Sequence, residues 1–116
     1  MAIAGRWRLL TALPQKRGRD ASPGVYELAD EAKNLIYIGQ SAKDVPNRIR
    51  QHLSRENCIS EQAHYWRYAY SRVPQADEAK LIADYEQQHG ALPPCNRATP
   101  KTRDAKKRYL ERSRES

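Results

Sequence analysis

The sequence contains no phenylalanine. Its nine aromatic residues are seven tyrosines and two tryptophans, so every ring carries a polar tip that needs water, a partner or a ligand when buried. A core of purely apolar rings is excluded, and a polar groove fits the composition as well as simple bias does. No stretch reaches the roughly 18 apolar residues of a membrane-spanning helix. The opening MAIAGRWRLLTALP is interrupted by Arg6 and Arg8 and is too short in apolar residues to act as a signal peptide. A cytoplasmic protein without a membrane partner is therefore expected. Cysteine is scarce as well: Cys58 and Cys95 lie far apart and form no C-x-x-C pair, so both are expected to be free thiols. No internal repeat is present.

The 116 residues have room for one domain with a single core. Hydrophobic residues make up 39% and charged ones 30%, a polar composition that is still well away from that of disorder. The net charge of +7 is unevenly placed. Residues 1–23 hold five basic residues against Asp20, and residues 101–116 hold seven against three acidic ones, which leaves the stretch between them at −1. Basic ends around a nearly neutral middle suit a domain that grips a polyanion, although a solubility tail would give the same pattern.

Gly24 to Ala29 follows the turn-like Ser22-Pro23-Gly24 and reads as a strand. Leu35-Ile36-Tyr37-Ile38-Gly39 is β-branched and aromatic, and the short connection between the two runs predicts a hairpin. From Asp44 to Leu53 the apolar residues Val45, Ile49 and Leu53 recur every fourth position, which predicts a helix with Pro46 in its first turn. His64 to Val73 is too aromatic for a helix and reads as a third strand, with Trp66, Tyr68 and Tyr70 on one face. These three could stack on bases or form core. Gln75 to His89 predicts a second helix with Ala79, Leu81, Ile82 and Tyr85 facing the core and Gly90 as its stop. The double proline in Leu92 to Asn96 predicts an extended loop, and residues 101–112 could form a third helix.

Gly24-Val25-Tyr26 and Tyr37-Ile38-Gly39, followed in order by Gln40-Ser41, Arg48, His52, Glu78 and Asn96, resemble the signature series of the GIY-YIG endonucleases. The resemblance implies an α+β fold, a small three-stranded antiparallel sheet flanked by helices, and a metal-dependent nuclease that acts on DNA. It divides the chain into a basic N-terminal segment (1–23), a nuclease domain (24–98) and a basic C-terminal helix or tail (99–116). It also implies one Mg²⁺ or Mn²⁺ ion on Glu78, a tyrosine of the two triplets as general base, and Asn96 as a positioning residue. Some relatives carry Lys directly after the second triplet, where this chain has Gln40; Lys43 is near enough in sequence to substitute.

The chemistry can also be argued from the residues. Phosphodiester hydrolysis needs a group that takes a proton from water, cationic groups for the growing phosphate charge, and usually a metal. Helical spacing puts Glu78 beside the Leu81 and Ile82 stripe, where a divalent cation would offset the cost of its charge. A carboxylate favoured by a helix N-terminus, as for Asp77, would occupy the same position. Arg48 and His52 are four residues apart, share a helix face, and could reach one phosphate. Tyr26 is the favoured base, with Tyr37 orienting phosphate or water, and the opposite assignment stays open. A phenol that titrates near 10 would need Arg48, His52 or the metal to favour its charged form. Gly24 and Gly39 would allow close backbone approach to substrate or a sharp exit. Gln40, Ser41, Lys43, Arg103, Lys106, Lys107 and Arg108 are the candidate DNA contacts, and a non-cleaving nucleic-acid-binding module is the alternative function. Specificity could be low, directed by substrate structure, or supplied by a protein partner; oligomeric state cannot be read from the sequence.

Overall fold

In the computed structural model the described residues are 3, 5–14 and 22–98. In chain order they form β1 (Arg8–Leu9), a 3-10 turn (Leu10–Ala12), β2 (Gly24–Ala29), β3 (Leu35–Ser41), α1 (Val45–Leu53), α2 (Cys58–Gln62), β4 (Tyr65–Tyr70), α3 (Pro74–His89) and α4 (Pro94–Ala98). The sheet is antiparallel in the order β1-β4-β2-β3. This is the expected α+β architecture with one addition, the two-residue edge strand β1, which pairs Arg8 with Trp66 and Leu9 with Tyr65. Two exposed residues carry no alternation from which a strand could be read.

The β2–β3 hairpin turns through Asp30, whose Oδ1 accepts from the backbone N–H groups of Ala32 and Asn34 at 3.0 and 2.9 Å. Lys33 takes the left-handed conformation there, with φ 68°. All six residues of β2 are buried because the strand is covered by neighbours on both edges and by packing on both faces. Tyr26, Leu28, Ile36, Val45, Ile49, Ile59, Trp66 and Cys95 fill one face, while Ile3, Val25, Ile38 and Leu81 fill the other under α3. Leu81, Ile82 and Tyr85 pack inward as expected, but Ala79 is exposed.

Asp44 caps α1 by accepting from the Asn47 N–H at 3.0 Å, and Pro46 sits in the first turn. Gly90, at φ 79°, ends α3. Two expectations need correction here, and one element had not been expected. Pro94 does not exclude a helix; it opens α4, where its missing N–H would have had no helical partner. The short α2 was not anticipated, although Asn57 and Ser60 form a reciprocal capping box. Cys58 and Cys95 are not free thiols but a disulfide joining α2 to α4, 37 residues apart in sequence. Arg103, Lys106, Lys107, Arg108 and the helix expected over 101–112 lie outside the described residues.

Candidate active site

In the hairpin register Tyr26 lies opposite Gly39 and Leu28 opposite Tyr37, so these four residues share one sheet face. The partner of Ala29 then jumps to Leu35, leaving Ile36 as the extra residue of a β-bulge. Ile36 and Tyr37 consequently pack with the α1 side, whereas Leu35 and Ile38 pack with the α3 side. Regular alternation from Gly39 already puts the Tyr37 ring on the face of Tyr26. The two ring centroids are 6.1 Å apart, and His52, projecting from α1, closes a triangle at 6.4 Å from Tyr26 and 5.3 Å from Tyr37.

A Cβ on Gly39 would stand 2.5 Å from the Tyr26 hydroxyl and 2.8 Å from Tyr37 Cε2. The space left by this glycine is therefore taken by the two phenols. At Gly24 a Cβ would collide with the Ala69 carbonyl oxygen, so that glycine serves the close pairing of β2 with β4. Both glycines make room for close packing inside the sheet.

The Tyr26 hydroxyl and His52 Nε2 are 3.0 Å apart. Burial holds the Tyr26 pKa well above its ordinary value; Tyr37 and Glu78 push the same way, while Arg48 opposes through its charge and a hydrogen bond. Burial and then Glu78 raise Tyr37, again against Arg48. His52 falls to about 4 through burial and the nearby Arg48 and Arg55 charges. At neutral pH both phenols therefore keep their protons and the imidazole is uncharged. Arg48 does favour a phenolate as anticipated, but burial outweighs it, and a neutral His52 contributes no positive charge.

The opposing effects of Glu78 and Arg48 on both phenols put these two charges beside the ring cluster. Asp77 is engaged elsewhere, accepting from the Ser71 hydroxyl at 2.5 Å. The start of α3 thus separates its two acids: Asp77 ties the helix to the end of β4, while the Glu78 charge acts on the phenols.

A family model for the GIY-YIG catalytic domain matches residues 22–89, more than half of the chain. The chain belongs to the GIY-YIG family. That family is one of nucleases, so hydrolysis of nucleic-acid phosphodiesters is the class of activity this fold carries. No curated protein and no solved structure matches the chain.

GIY-YIG nucleases are generally metal-dependent. Among the described residues no three His, Cys, Asp or Glu side chains cluster as a metal cage. A single half-buried carboxylate, Glu78, beside neutral phenols still fits a hard cation that keeps most of its water. It does not suit a soft or closed site.

Asn96 lies beyond the matched segment and does not join the rings. Its Oδ1 accepts from the Ile38 N–H at 2.8 Å, and its Nδ2 donates to the Ile38 carbonyl at 3.0 Å. The side-chain amide thus acts as one residue of an extra strand along the open edge of β3, fixing the backbone between Tyr37 and Gly39. Of the three aromatics that alternate along β4, Trp66 is core, Tyr68 stacks on it at 5.5 Å, and Tyr70 is exposed.

Gln40, Ser41 and Lys43 line a cleft of about 810 Å³ between the β3–α1 turn and the start of α3. The Ser41 Oγ shapes that turn by accepting from the N–H groups of Lys43 and Asp44 at 3.2 and 3.0 Å. Neither phenol, nor His52, nor Glu78 lines this cleft, but Arg48 does, which makes it a neighbour of the ring cluster rather than the same place. Arg72 lines it too and was missed in the sequence, where a lone basic residue between a strand and a proline carries no periodic signal.

Proposed function

We propose that this chain is a divalent-cation-dependent endonuclease that hydrolyses phosphodiester bonds in DNA, with Tyr26 as the general base. One observation carries the assignment: the Tyr26 hydroxyl is within hydrogen-bond distance of an imidazole that is neutral at physiological pH. A buried phenol is a poor base when it must first ionise. Paired with His52 it need not. Tyr26 donates its proton to Nε2 while its oxygen takes a proton from the attacking water, so no free phenolate accumulates.

Tyr26 is fully buried, and the exposed Arg48 side chain bonds towards the same hydroxyl. Drawn onto a phosphate, Arg48 would uncover the phenol and place a forked cation against the charge that develops in the transition state. Tyr37, half-buried, is the phenol that can reach phosphate or water directly. Glu78 would hold Mg²⁺ or Mn²⁺, and the ion would stabilise the leaving oxygen. Asn96 keeps the strand that carries Tyr37 in place. The basic residues Arg103, Lys106, Lys107 and Arg108 would hold the DNA backbone. The non-cleaving alternative calls for loss of the carboxylate or the arginine at the phenols, and this chain has both.

The purified protein should nick supercoiled plasmid DNA with Mg²⁺ or Mn²⁺. Glu78→Gln should lower the rate about a thousandfold or more at an unchanged melting temperature. Absence of cleavage on every DNA and RNA substrate with either ion would refute the enzyme reading, while cleavage of RNA alone would remove DNA from it.

A further inference from the structure

We propose that the cleft between the β3–α1 turn and the start of α3 seats a backbone phosphate neighbouring the scissile one, gripped by Arg72 and Lys43. The proposal rests on the nuclease reading and gives it a second contact point. Three cations, Lys43, Arg48 and Arg72, line the cleft. Among the described residues the one acid lining it, Asp44, is 5% exposed, and its Oδ1 is occupied in capping α1. Arg48 Nη1 donates to the neutral Gln51 amide at 3.1 Å, so that contact does not neutralise it. Among the described residues the Lys43 and Arg72 side chains make no hydrogen bond or ion pair. Three cations that converge on a concave surface against one buried carboxylate leave it with excess positive potential, which an anion relieves. Val73 gives α3 no side-chain cap, so the uncapped N–H end of the helix, at Gln75 and Ala76 on the cleft wall, adds to that potential.

The geometry separates this anion from the reacting one. Both phenols, His52 and Glu78 lie off the cleft wall, and Arg48 alone belongs to the cleft and also acts on the phenols. A strand with its scissile phosphate at the ring cluster would pass Arg48 and lay an adjacent phosphate between Lys43 and Arg72. Arg72 is then a positioning residue for substrate, and a bond with no phosphate on that side is a poor one to cut. The guanidinium fork suits phosphate oxygens.

The test uses the full chain with Mg²⁺ and end-labelled duplexes that carry a single neutral methylphosphonate at successive positions around the cut. The wild type should lose about tenfold in kcat/KM when one flanking position is neutralised, the value of one charge-assisted contact. Arg72→Ala should lose about the same on the all-phosphate duplex through KM, with no further loss at that position, and Arg72→Lys should recover part of it. An Arg72→Ala enzyme as efficient as wild type, or equally impaired at every methylphosphonate position, would overturn the proposal. Fluorescence anisotropy of the same duplexes, in the Glu78→Gln background without cleavage, separates the two readings. If the wild type cuts nothing, a loss of binding at one methylphosphonate position that appears with Arg72 in place and vanishes in Arg72→Ala still supports the cleft, and an Arg72→Ala affinity unchanged on the all-phosphate duplex sinks it.

Discussion

β2 carries two buried polar residues side by side, Tyr26 on one face of the sheet and Glu27 on the other, and the two faces treat them in opposite ways. Glu27 lies opposite Arg67 in the register and accepts from its Nε at 2.7 Å. The same guanidinium stacks on Trp7 at 4.0 Å and donates to the Gly5 carbonyl at 3.2 Å. Burial raises the Glu27 pKa while Arg67 pulls it back, so the charge is compensated where it stands. Tyr26 meets a neutral imidazole instead, and the charges of Arg48 and Glu78 stand beside the ring cluster with contrary effects on it. One face uses its polar pair to hold strands together. The other keeps protons on groups that can exchange them.

The comparison can first be pressed at the covalent tie on the catalytic face. Cys95 is fully buried in the cluster that contains Tyr26, and its bond to Cys58 spans 37 residues. In the loop-entropy account, closing such a loop stabilises the fold by about 4 kcal/mol. Denaturant unfolding with and without dithiothreitol should therefore differ by about that amount, and a Cys58→Ala/Cys95→Ala double variant should not respond to the reductant. Coincident curves for the wild type would show that packing and the Asn96 clamp hold α4 without the bond.

On the opposite face Arg67→Ala should cost about 3 kcal/mol, because it leaves the Glu27 carboxylate buried without its partner. The kcat of the folded enzyme should stay where it was. A fall in kcat would mean that the two faces are coupled through β2 and that the contrast drawn between them is wrong.

What could be read beforehand follows the range of each interaction. The hairpin, α1 and α3 came from periodicity and stop signals carried by the segments themselves, such as Val45, Ile49 and Leu53 for α1 and Gly90 after α3. The ring cluster was legible as an ordered series of types, Tyr26, Tyr37, Arg48, His52 and Glu78. Its protonation was not, because burial decides it and burial belongs to the folded chain. Residues tied to distant partners were the ones whose partners could not be read. Asn96 spends both ends of its amide on Ile38, 58 positions away, and Cys95 meets Cys58 across a helix and a strand. The proline at 94 was taken as a helix breaker although the first turn is where a helix accepts one. Ala79 was put in the core on spacing alone, yet α3 meets the sheet through Leu81, Ile82 and Tyr85 and leaves that side open.

The smallest expected effect bears most directly on why His52 is neutral. As the acceptor of the Tyr26 proton it should be worth about a hundredfold in kcat, so His52→Ala should lose that much with little change in KM. The pH profile tests the same point with the residue in place. The folded pKa of His52 is depressed from 6.5 to about 4, so the imidazole stays able to accept a proton until the pH falls through about 4. The acid limb of kcat should lie there and not near 6.5. The sign for stability agrees: an unfolded chain takes up this proton near 6.5 and the folded one near 4, so stability present above 6.5 drains away between those values as the pH falls. His52→Ala should remove that part of the acid sensitivity. An acid limb near 6.5 in the wild type would mean that the imidazole is as basic in the fold as in water, and Tyr26 would then have a charged neighbour in place of a proton acceptor.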